Sequence, residues 1–136
     1  MTALPDEVRE LFEGPNYCHL ATLLPSGAPH SVPVWTGFED GRIVFFTQPQ
    51  SRKARNLAQD PRVAISITDH ERPYRMAQVR GQVVSTVEGD AALEIIDRLA
   101  VKYTGRPSPM RSGVVYLIEP AKVQQMELPF EHAPAQ

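Results

Sequence analysis

The short spacing between the first strand-like segments most constrains how this chain can fold. Residues 17–24 alternate in polarity and end at the turn Pro25-Ser26-Gly27, and residues 30–38 continue as a second strand-like segment. Asp40-Gly41 then gives a strong hairpin signal before a third segment at residues 43–47. Connections this short cannot carry the crossover that parallel strands need. The sequence therefore predicts an antiparallel meander and disfavours a parallel α/β fold.

Further β-branched segments follow later in the chain. Residues 63–67 form one predicted strand, and residues 74–87 form a long one with Gly81 inside it, where a bulge or bend is expected. The last strand, residues 114–126, is predicted to be broken at Glu119-Pro120. The chain thus has about six antiparallel strands and no internal repeat. A closed or partly closed barrel is the simplest arrangement in which that many strands leave few edge strands unpaired. The predicted fold class is therefore mainly β.

Three short helices are predicted beside these strands. The first covers residues 4–13, with Pro5 in its first turn and Gly14 at its end. The second is capped by Ser51 and runs to about Gln59. The third is capped by Asp90 and carries one apolar face. The residues of that face are Ala92, Ile96, Leu99, Ala100 and Tyr103.

The chain of 136 residues is predicted to be a single domain, with its barrel at 16–126 and a loose Pro-containing tail at 129–136. The loop 104–113, which has two prolines and two glycines, is predicted to cover a ligand. Residues 1–7 lack the basic and apolar pattern of a signal peptide, and no apolar stretch approaches the length of a membrane span. A cytoplasmic location without membrane contact is expected.

The net charge and the number of cysteines and histidines limit which kinds of functional site the sequence predicts. A net charge of -2 argues against a dedicated nucleic-acid binder, which usually presents a strongly basic face. The single cysteine, Cys18, excludes an intrachain disulfide and is predicted to be buried in a strand and not nucleophilic. The histidines are scattered without metal-ligand spacing, so no metal site is predicted and none of them is given a catalytic role. These are His19, His30, His70 and His132.

A cluster of cations at the start of the second helix is the most informative segment. Arg52, Lys53 and Arg55 follow directly after a strand, a loop and the capping residue Ser51. Unpaired amides and the helix dipole make a helix N-terminus favourable for an anion, and neighbouring cations strengthen it. The pattern indicates a phosphate site. The alternative from the residues alone is a solvated basic helix without a ligand.

Several motifs together resemble the pyridoxamine 5'-phosphate oxidase-like split-barrel superfamily, specifically its deazaflavin (F420)-dependent branch. They cover residues 4 to about 126 in the order of that superfamily. The motifs are HLATL at 19–23, PSG at 25–27, PHSVPVW at 29–35, FT at 46–47, SRKARNL at 51–57, DPRV at 60–63, VRGQV at 79–83 and IDRLAVKYTG at 96–105.

This resemblance implies a six-stranded antiparallel split β-barrel of the flavin reductase type, which forms a homodimer with two cofactor grooves at the interface. It implies that Arg52 and Lys53 hold the cofactor phosphate, with Phe46 and Thr47 beside it. Pro33, Val34 and Trp35 are expected to lie against the cofactor ring. Residues contributed by the second subunit are expected to be Tyr74, Arg75 and Met76.

The implied activity is an F420-dependent oxidoreductase that transfers a hydride between the reduced deazaflavin and a small conjugated substrate. One alternative is an FMN-dependent oxidoreductase on the same barrel, and another is a flavin- or deazaflavin-binding protein without turnover. The chain shows no obvious counterpart of the C-terminal stretch with which pyridoxamine phosphate oxidases bind pyridoxal phosphate, so vitamin B6 oxidation is not expected. From the residues alone, Arg75 and Arg80 could instead each pair with a surface acid.

Overall fold

The computed structural model of the protein describes residues 3–134 and shows three helices and seven strands within them. Their bounds are α1 Asp6–Glu13, β1 Cys18–Leu23, β2 Pro29–Val34, β3 Gly37–Glu39, β4 Arg42–Thr47, α2 Arg52–Gln59, β5 Arg62–Thr68, β6 Arg75–Val87, α3 Gly89–Thr104 and β7 Val114–Glu127. The strands form one antiparallel sheet in the order β2-β1-β5-β6-β7-β4-β3. The mainly β, antiparallel fold class is confirmed.

The two outermost strands of the sheet are consecutive in the chain. β2 and β3 lie at opposite ends of the strand order, yet only Trp35 and Thr36 separate them. The sheet must therefore curl until its two edges meet at this two-residue joint, which we call the seam. No hydrogen-bonded pairing joins β2 to β3 among the described strands, so the barrel is split at the seam and not closed.

The count of six strands was wrong because residues 30–38 were predicted to form one strand. The break falls at the seam and not at Pro33, which lies inside β2 opposite His19 of β1. Proline is tolerated there because β2 is an edge strand and one side of it needs no ladder hydrogen bond. The predicted hairpin at Asp40-Gly41 is confirmed, with φ of 51° and 80° at these two residues, as a tight two-residue turn requires.

The long strand β6 changes register at the predicted glycine. The pairing of β6 with β7 shifts between Arg80 and Gly81, and Gly81 lies opposite Pro120. β7 is continuous through Glu119 and Pro120, so the predicted break there was wrong. Pro120 fits because β4 pairs with β7 only as far as Ile118, which leaves the strand unpaired on that side.

The core packs on both faces of the curled sheet. Inside the barrel, Phe12 of α1 packs with Leu20, Phe45 and Ile118, all of them almost fully buried. Across the sheet, α3 packs its apolar face against a second cluster that includes Val44 and Val115. Four residues of the predicted α3 face are buried, namely Ala92, Ile96, Leu99 and Ala100, while Tyr103 is partly buried.

Helix boundaries and the tail depart slightly from expectation. α3 begins at Gly89 with Glu88 as its N-cap, so Asp90 lies in the first turn and is not the cap. Of the predicted tail, residues 129–134 have no helix or strand, and the Phe130 ring lies 5.4 Å from the Tyr74 ring. Residues 135 and 136, like residues 1 and 2, lie outside the described part of the chain.

The longest helix in the described residues, α3, has 16 residues, and no helix there has the length and apolar character needed to span a bilayer.

Gly81→Ala tests whether the bulge depends on close backbone approach. A Cβ at position 81 would lie 2.2 Å from the Glu119 carbonyl oxygen, so one strand would have to move away from the other. We expect a loss of about 1–3 kcal/mol in the free energy of unfolding, as overpacking usually costs. Urea titration measures this, with Gln78→Ala, exposed on the same strand, as a control that should change little. Equal midpoints for the two variants would contradict the account.

Candidate functional site

A cleft of about 520 Å³ opens beside the seam, between the barrel and the loop that follows α3. We call it the seam cleft. Its size is in the range of small-molecule sites. Four consecutive residues form its outer side, called here the cleft wall: Pro107, Ser108, Pro109 and Met110. The other residues that line the cleft are Tyr17, Pro33, Val34, Trp35, Phe46, Lys53, Ala100 and Thr104.

Five of the predicted cofactor-binding residues meet in this cleft. Pro33, Val34 and Trp35 come from the end of β2 and the seam, Phe46 from β4, and Lys53 from the first turn of α2. The Trp35 and Phe46 rings meet edge to face, with centroids 6.2 Å apart. The fold thus brings together three chain segments that the resemblance predicted to share one ligand. The predicted covering loop 104–113 supplies the cleft wall.

Ser51 and Thr47 fix where α2 begins. The Ser51 hydroxyl accepts a hydrogen bond from the Ala54 amide at 3.1 Å, so the predicted N-cap is confirmed. The buried Thr47 hydroxyl donates to the Ser51 hydroxyl at 2.9 Å. Thr47 therefore acts from behind the cleft, as the residue that ties the end of β4 to the cap. The first amides of a helix have no intrahelical acceptor and remain suited to an anion.

The three cations of α2 point in different directions. Arg52 donates from Nε to Asn56 Oδ1 at 3.0 Å and, together with Arg55, lines a separate groove of about 590 Å³ beside the β1–β2 turn. Lys53 alone of the three lines the seam cleft. Asn56, which holds Arg52, is itself fully buried and donates to Thr22 Oγ1 at 3.0 Å. The buried residues of α2 are Ala54, Asn56 and Leu57, while Ala58 is exposed.

The remaining predicted residues lie away from the seam cleft of their own chain. Arg75 donates to the Glu7 carbonyl at 3.0 Å and to Glu10 Oε2 at 3.1 Å, and forms a longer pair with Asp69 at 3.5 Å. Tyr74 packs on the tail, and Met76 pairs with Met126 of β7. The contribution of these three residues to a partner's groove remains a prediction. Within its own chain, Arg75 forms ion pairs with Glu10 and Asp69.

Tyr103 is a central residue of the seam that the sequence did not reveal. Its hydroxyl donates to the Asn16 carbonyl at 2.6 Å and accepts from the Thr36 amide at 3.1 Å. Its ring stacks on Trp35, with centroids 5.1 Å apart and an interplanar angle of 5°. The helical pattern showed only that Tyr103 faces the barrel. Its polar role depends on the seam, which no local pattern indicated.

A row of aromatic rings makes one side of the cleft apolar, with Tyr17, Trp35 and Phe46 in its lining. The Tyr17 ring lies 5.5 Å from Tyr103, which stacks on Trp35, which in turn meets Phe46. Tyr17 was not predicted, and it is 53% exposed, which is unusual for a large ring and leaves a face free toward the cleft. Stacked and edge-to-face rings of this kind are a suitable surface for a planar ligand.

Burial shifts the pKa values of two ionisable groups around the seam, Lys102 and Cys18. Lys102 donates from Nζ to the carbonyl oxygens of Thr36 and, at 2.9 Å, of Phe12, and desolvation lowers its pKa to about 8. Burial raises the pKa of the Cys18 thiol to about 12, despite its 3.1 Å contact with the Thr36 hydroxyl. Cys18 is therefore a buried, protonated thiol at neutral pH, as predicted.

A larger depression of about 710 Å³ lies at the Gly81 bulge. Its charged side chains, Arg62, Arg80 and Lys122, are exposed, and Glu119 lies among them. The described residues that line it include no aromatic ring and none of the residues predicted to bind a cofactor. We therefore take the smaller seam cleft as the candidate functional site.

The curled single sheet, open at its seam, defines a split β-barrel with a ligand-sized cleft. The sequence pattern of the pyridoxamine 5'-phosphate oxidase family matches residues 4–127, which is nearly the whole chain. The chain belongs to this family. The superfamily part of the resemblance is thereby confirmed.

Individual relatives agree with this assignment. A pyridoxine/pyridoxamine 5'-phosphate oxidase of Bacteroides thetaiotaomicron is 38% identical over 60 residues, which is 43% of this chain and 28% of that protein. One of Azorhizobium caulinodans is 33% identical over 71% of this chain and 47% of its own length. The chain thus spans less than half of these relatives. A solved structure named F420 Reductase is 30% identical, with a TM-score of 0.78 over 89% of this chain and 98% of its own.

Lys102→Met tests the burial of the ammonium group at the seam. The folded-state pKa of about 8 lies below the ordinary 10.5, so between these values the unfolded chain still holds the proton that the folded chain has released. Stability due to this group therefore rises with pH across that window. We expect the difference in unfolding free energy, wild type minus variant, to increase from pH 8 toward pH 10.5 in urea titrations. A difference that decreases would contradict the assignment.

Proposed function

We propose that the protein is an oxidoreductase that binds a flavin-type cofactor in the seam cleft and transfers a hydride between that cofactor and a small conjugated substrate. The observation that carries this proposal is the meeting of Pro33, Val34, Trp35 and Phe46 with Lys53 in one cleft. An apolar aromatic surface suits a tricyclic ring, and a cation at a helix start suits its phosphate. Membership in a family of cofactor-dependent oxidases supports the reaction class.

F420 is the first candidate cofactor. The solved structure named F420 Reductase aligns over almost its entire length with this chain at 30% identity. FMN is the second candidate, favoured by the family match over residues 4–127. Both cofactors offer the same two features, a planar ring and a nearby phosphate, to the same cleft. The choice between them therefore rests on binding measurements.

Different residues of the cleft would hold the ring and the phosphate of either cofactor. Pro33, Val34 and Trp35 would lie against the ring, and Phe46 would close the side toward β4. Lys53 and the first amides of α2 would hold the phosphate, with Ser51 and Thr47 keeping the helix start in place. Arg52, predicted to share the phosphate, would first have to leave Asn56.

The chain's own contribution to the reaction is positioning. The reduced cofactor supplies the hydride when it is bound. Holding donor and acceptor in contact, with water excluded, can contribute roughly 7–11 kcal/mol in favourable cases. The aromatic row and the cleft wall would form the two sides between which the cofactor ring and the acceptor are stacked. We assign no side chain as a proton donor.

The charge of the cleft limits the substrate. Of the described residues that line the seam cleft, Lys53 is the one cation. A cofactor phosphate bound to Lys53 would leave no cation of this chain for a phosphorylated substrate. We therefore propose a flat, conjugated substrate whose recognition rests on the apolar lining of the cleft. The relatives named pyridoxine/pyridoxamine 5'-phosphate oxidases are named for phosphorylated substrates, and the described lining residues of one chain offer no second cation for such a phosphate.

We also propose that the protein works as a homodimer with the seam clefts at its interface. In that arrangement Tyr74, Arg75 and Met76 of one chain would approach the cofactor of the other. Arg75 would have to give up at least part of its pairing with Glu10 and Asp69 to do so. Oligomeric state in solution, measured by light scattering, tests this proposal.

Lys53→Ala tests the phosphate contact. Titration of the protein with FMN and with F420, followed by visible absorbance, should show weaker binding of the true cofactor by about 10-fold to 100-fold. This corresponds to the roughly 1.5–3 kcal/mol of a hydrogen bond to a charged group. Arg55→Ala, which removes a cation on the opposite side of the same helix, should leave the affinity nearly unchanged.

Three further results would decide the role of Arg52, whether the protein turns over, and whether it binds a flavin-type cofactor at all. Arg52→Ala as damaging as Lys53→Ala would mean that Arg52 turns from Asn56 to the phosphate. Tight F420 binding without oxidation of reduced F420 by quinones, enones or nitroaromatics would favour a binding protein without turnover. Wild-type protein that binds neither FMN nor F420 would refute the proposed function.

A further inference from the structure

The cleft wall belongs to a loop without helix or strand that nevertheless has well-defined attachments. The loop connects α3 to β7 and carries Pro107, Ser108, Pro109 and Met110 along the seam cleft. Met110 is 54% exposed, so packing against the barrel does not hold it in place. The position of the wall must therefore come from other contacts.

The first attachment is Asp97, on α3. Its Oδ1 accepts a hydrogen bond from Arg111 Nη1 at 2.7 Å and another from the Ser108 amide at 3.2 Å. Arg111 also donates to the Ser108 carbonyl at 3.2 Å. One carboxylate thus holds the loop at Ser108 within the wall and at Arg111 directly after it. The Arg111 guanidinium holds the pKa of Asp97 below its usual value, so the carboxylate is charged at neutral pH.

The second attachment is Gln48, between β4 and α2. Its side-chain Nε2 donates to the Ser112 carbonyl at 2.9 Å, and the Ser112 hydroxyl donates back to Gln48 Oε1 at 3.1 Å. The Gln48 carbonyl in turn accepts from the amide of Ser51, the cap of α2, at 3.0 Å. The wall is therefore joined to the same turn that sets the start of the cationic helix.

We propose that Asp97 and Gln48 are positioning residues that set the width of the seam cleft, and with it the affinity for the substrate. Neither is among the described residues that line the cleft, so both act through the wall. The effect on substrate rests on the proposed function, while the effect on the wall does not. Without the two attachments the loop would move away from Trp35, and a flat acceptor would lose one of the two surfaces that hold it.

The position of the wall can be measured without any cofactor. Trp35 is the single tryptophan of the chain and lines the seam cleft, so its fluorescence reports on this site alone. We expect Asp97→Ala and Gln48→Ala each to raise the acrylamide quenching constant of Trp35 several-fold. Glu94→Ala and Gln50→Ala, exposed on the same two segments, should leave it unchanged. Unchanged quenching in both test variants would overturn the proposal.

Arg111 provides an independent variant on the loop side of the first attachment. Arg111→Ala should reproduce the quenching of Asp97→Ala, and Arg111→Lys should restore part of the wild-type protection because it keeps the charge. If Asp97→Ala does not fold, the two Arg111 variants still test whether the Asp97–Arg111 contact holds the wall. Equal quenching in Arg111→Ala and wild type would overturn the role of Asp97.

A kinetic measurement tests the consequence for substrate. With the reduced form of whichever cofactor binds, and menadione as acceptor, Asp97→Ala should raise KM for menadione several-fold and leave kcat unchanged. A fall in kcat at unchanged KM would contradict a positioning role. Wild-type protein that binds neither FMN nor F420 would refute the proposed function only, because the quenching experiment would still decide where the wall lies.

Discussion

The hydrogen bonds of the Tyr103 hydroxyl hold the joint on which the rest of the structure depends. This hydroxyl accepts from the Thr36 amide and donates to the Asn16 carbonyl. Lys102, the residue before Tyr103 in α3, donates to the Thr36 carbonyl. Thr36 therefore has both its backbone amide and its carbonyl satisfied although it belongs to neither β2 nor β3. A buried backbone group without a partner would cost roughly 1–3 kcal/mol, so these contacts decide whether the two sheet edges can stay together.

The same contacts explain why the seam cleft exists. Because Thr36 is held from α3, the neighbouring Trp35 is directed outward onto the Tyr103 ring and does not enter the barrel core. Phe46 and Lys53 reach the same place from β4 and α2, since β4 is the strand next to β3. Residues far apart in sequence thus form one apolar surface with one cation beside it. This combination, and not any single reactive group, is what supports a cofactor site.

Local patterns predicted most of the fold, because strand alternation, the Asp40-Gly41 turn and the Ser51 cap depend on neighbours in sequence. The seam was missed because it is set by a contact between residues 67 apart. The direction of Arg52 was missed for a similar reason: it follows from Asn56, a polar residue that is buried only because Thr22 of a distant strand accepts its hydrogen bond. The resemblance placed five site residues in one cleft, but it could not show which of the cations faces it.

The most direct test of this account is a crystal structure of the protein with FMN or F420 bound. The account predicts the cofactor ring in the seam cleft against Pro33, Val34 and Trp35, with its phosphate within hydrogen-bonding distance of Lys53 Nζ. A cofactor found instead at the Gly81 bulge, beside Arg80 and Lys122, would contradict it.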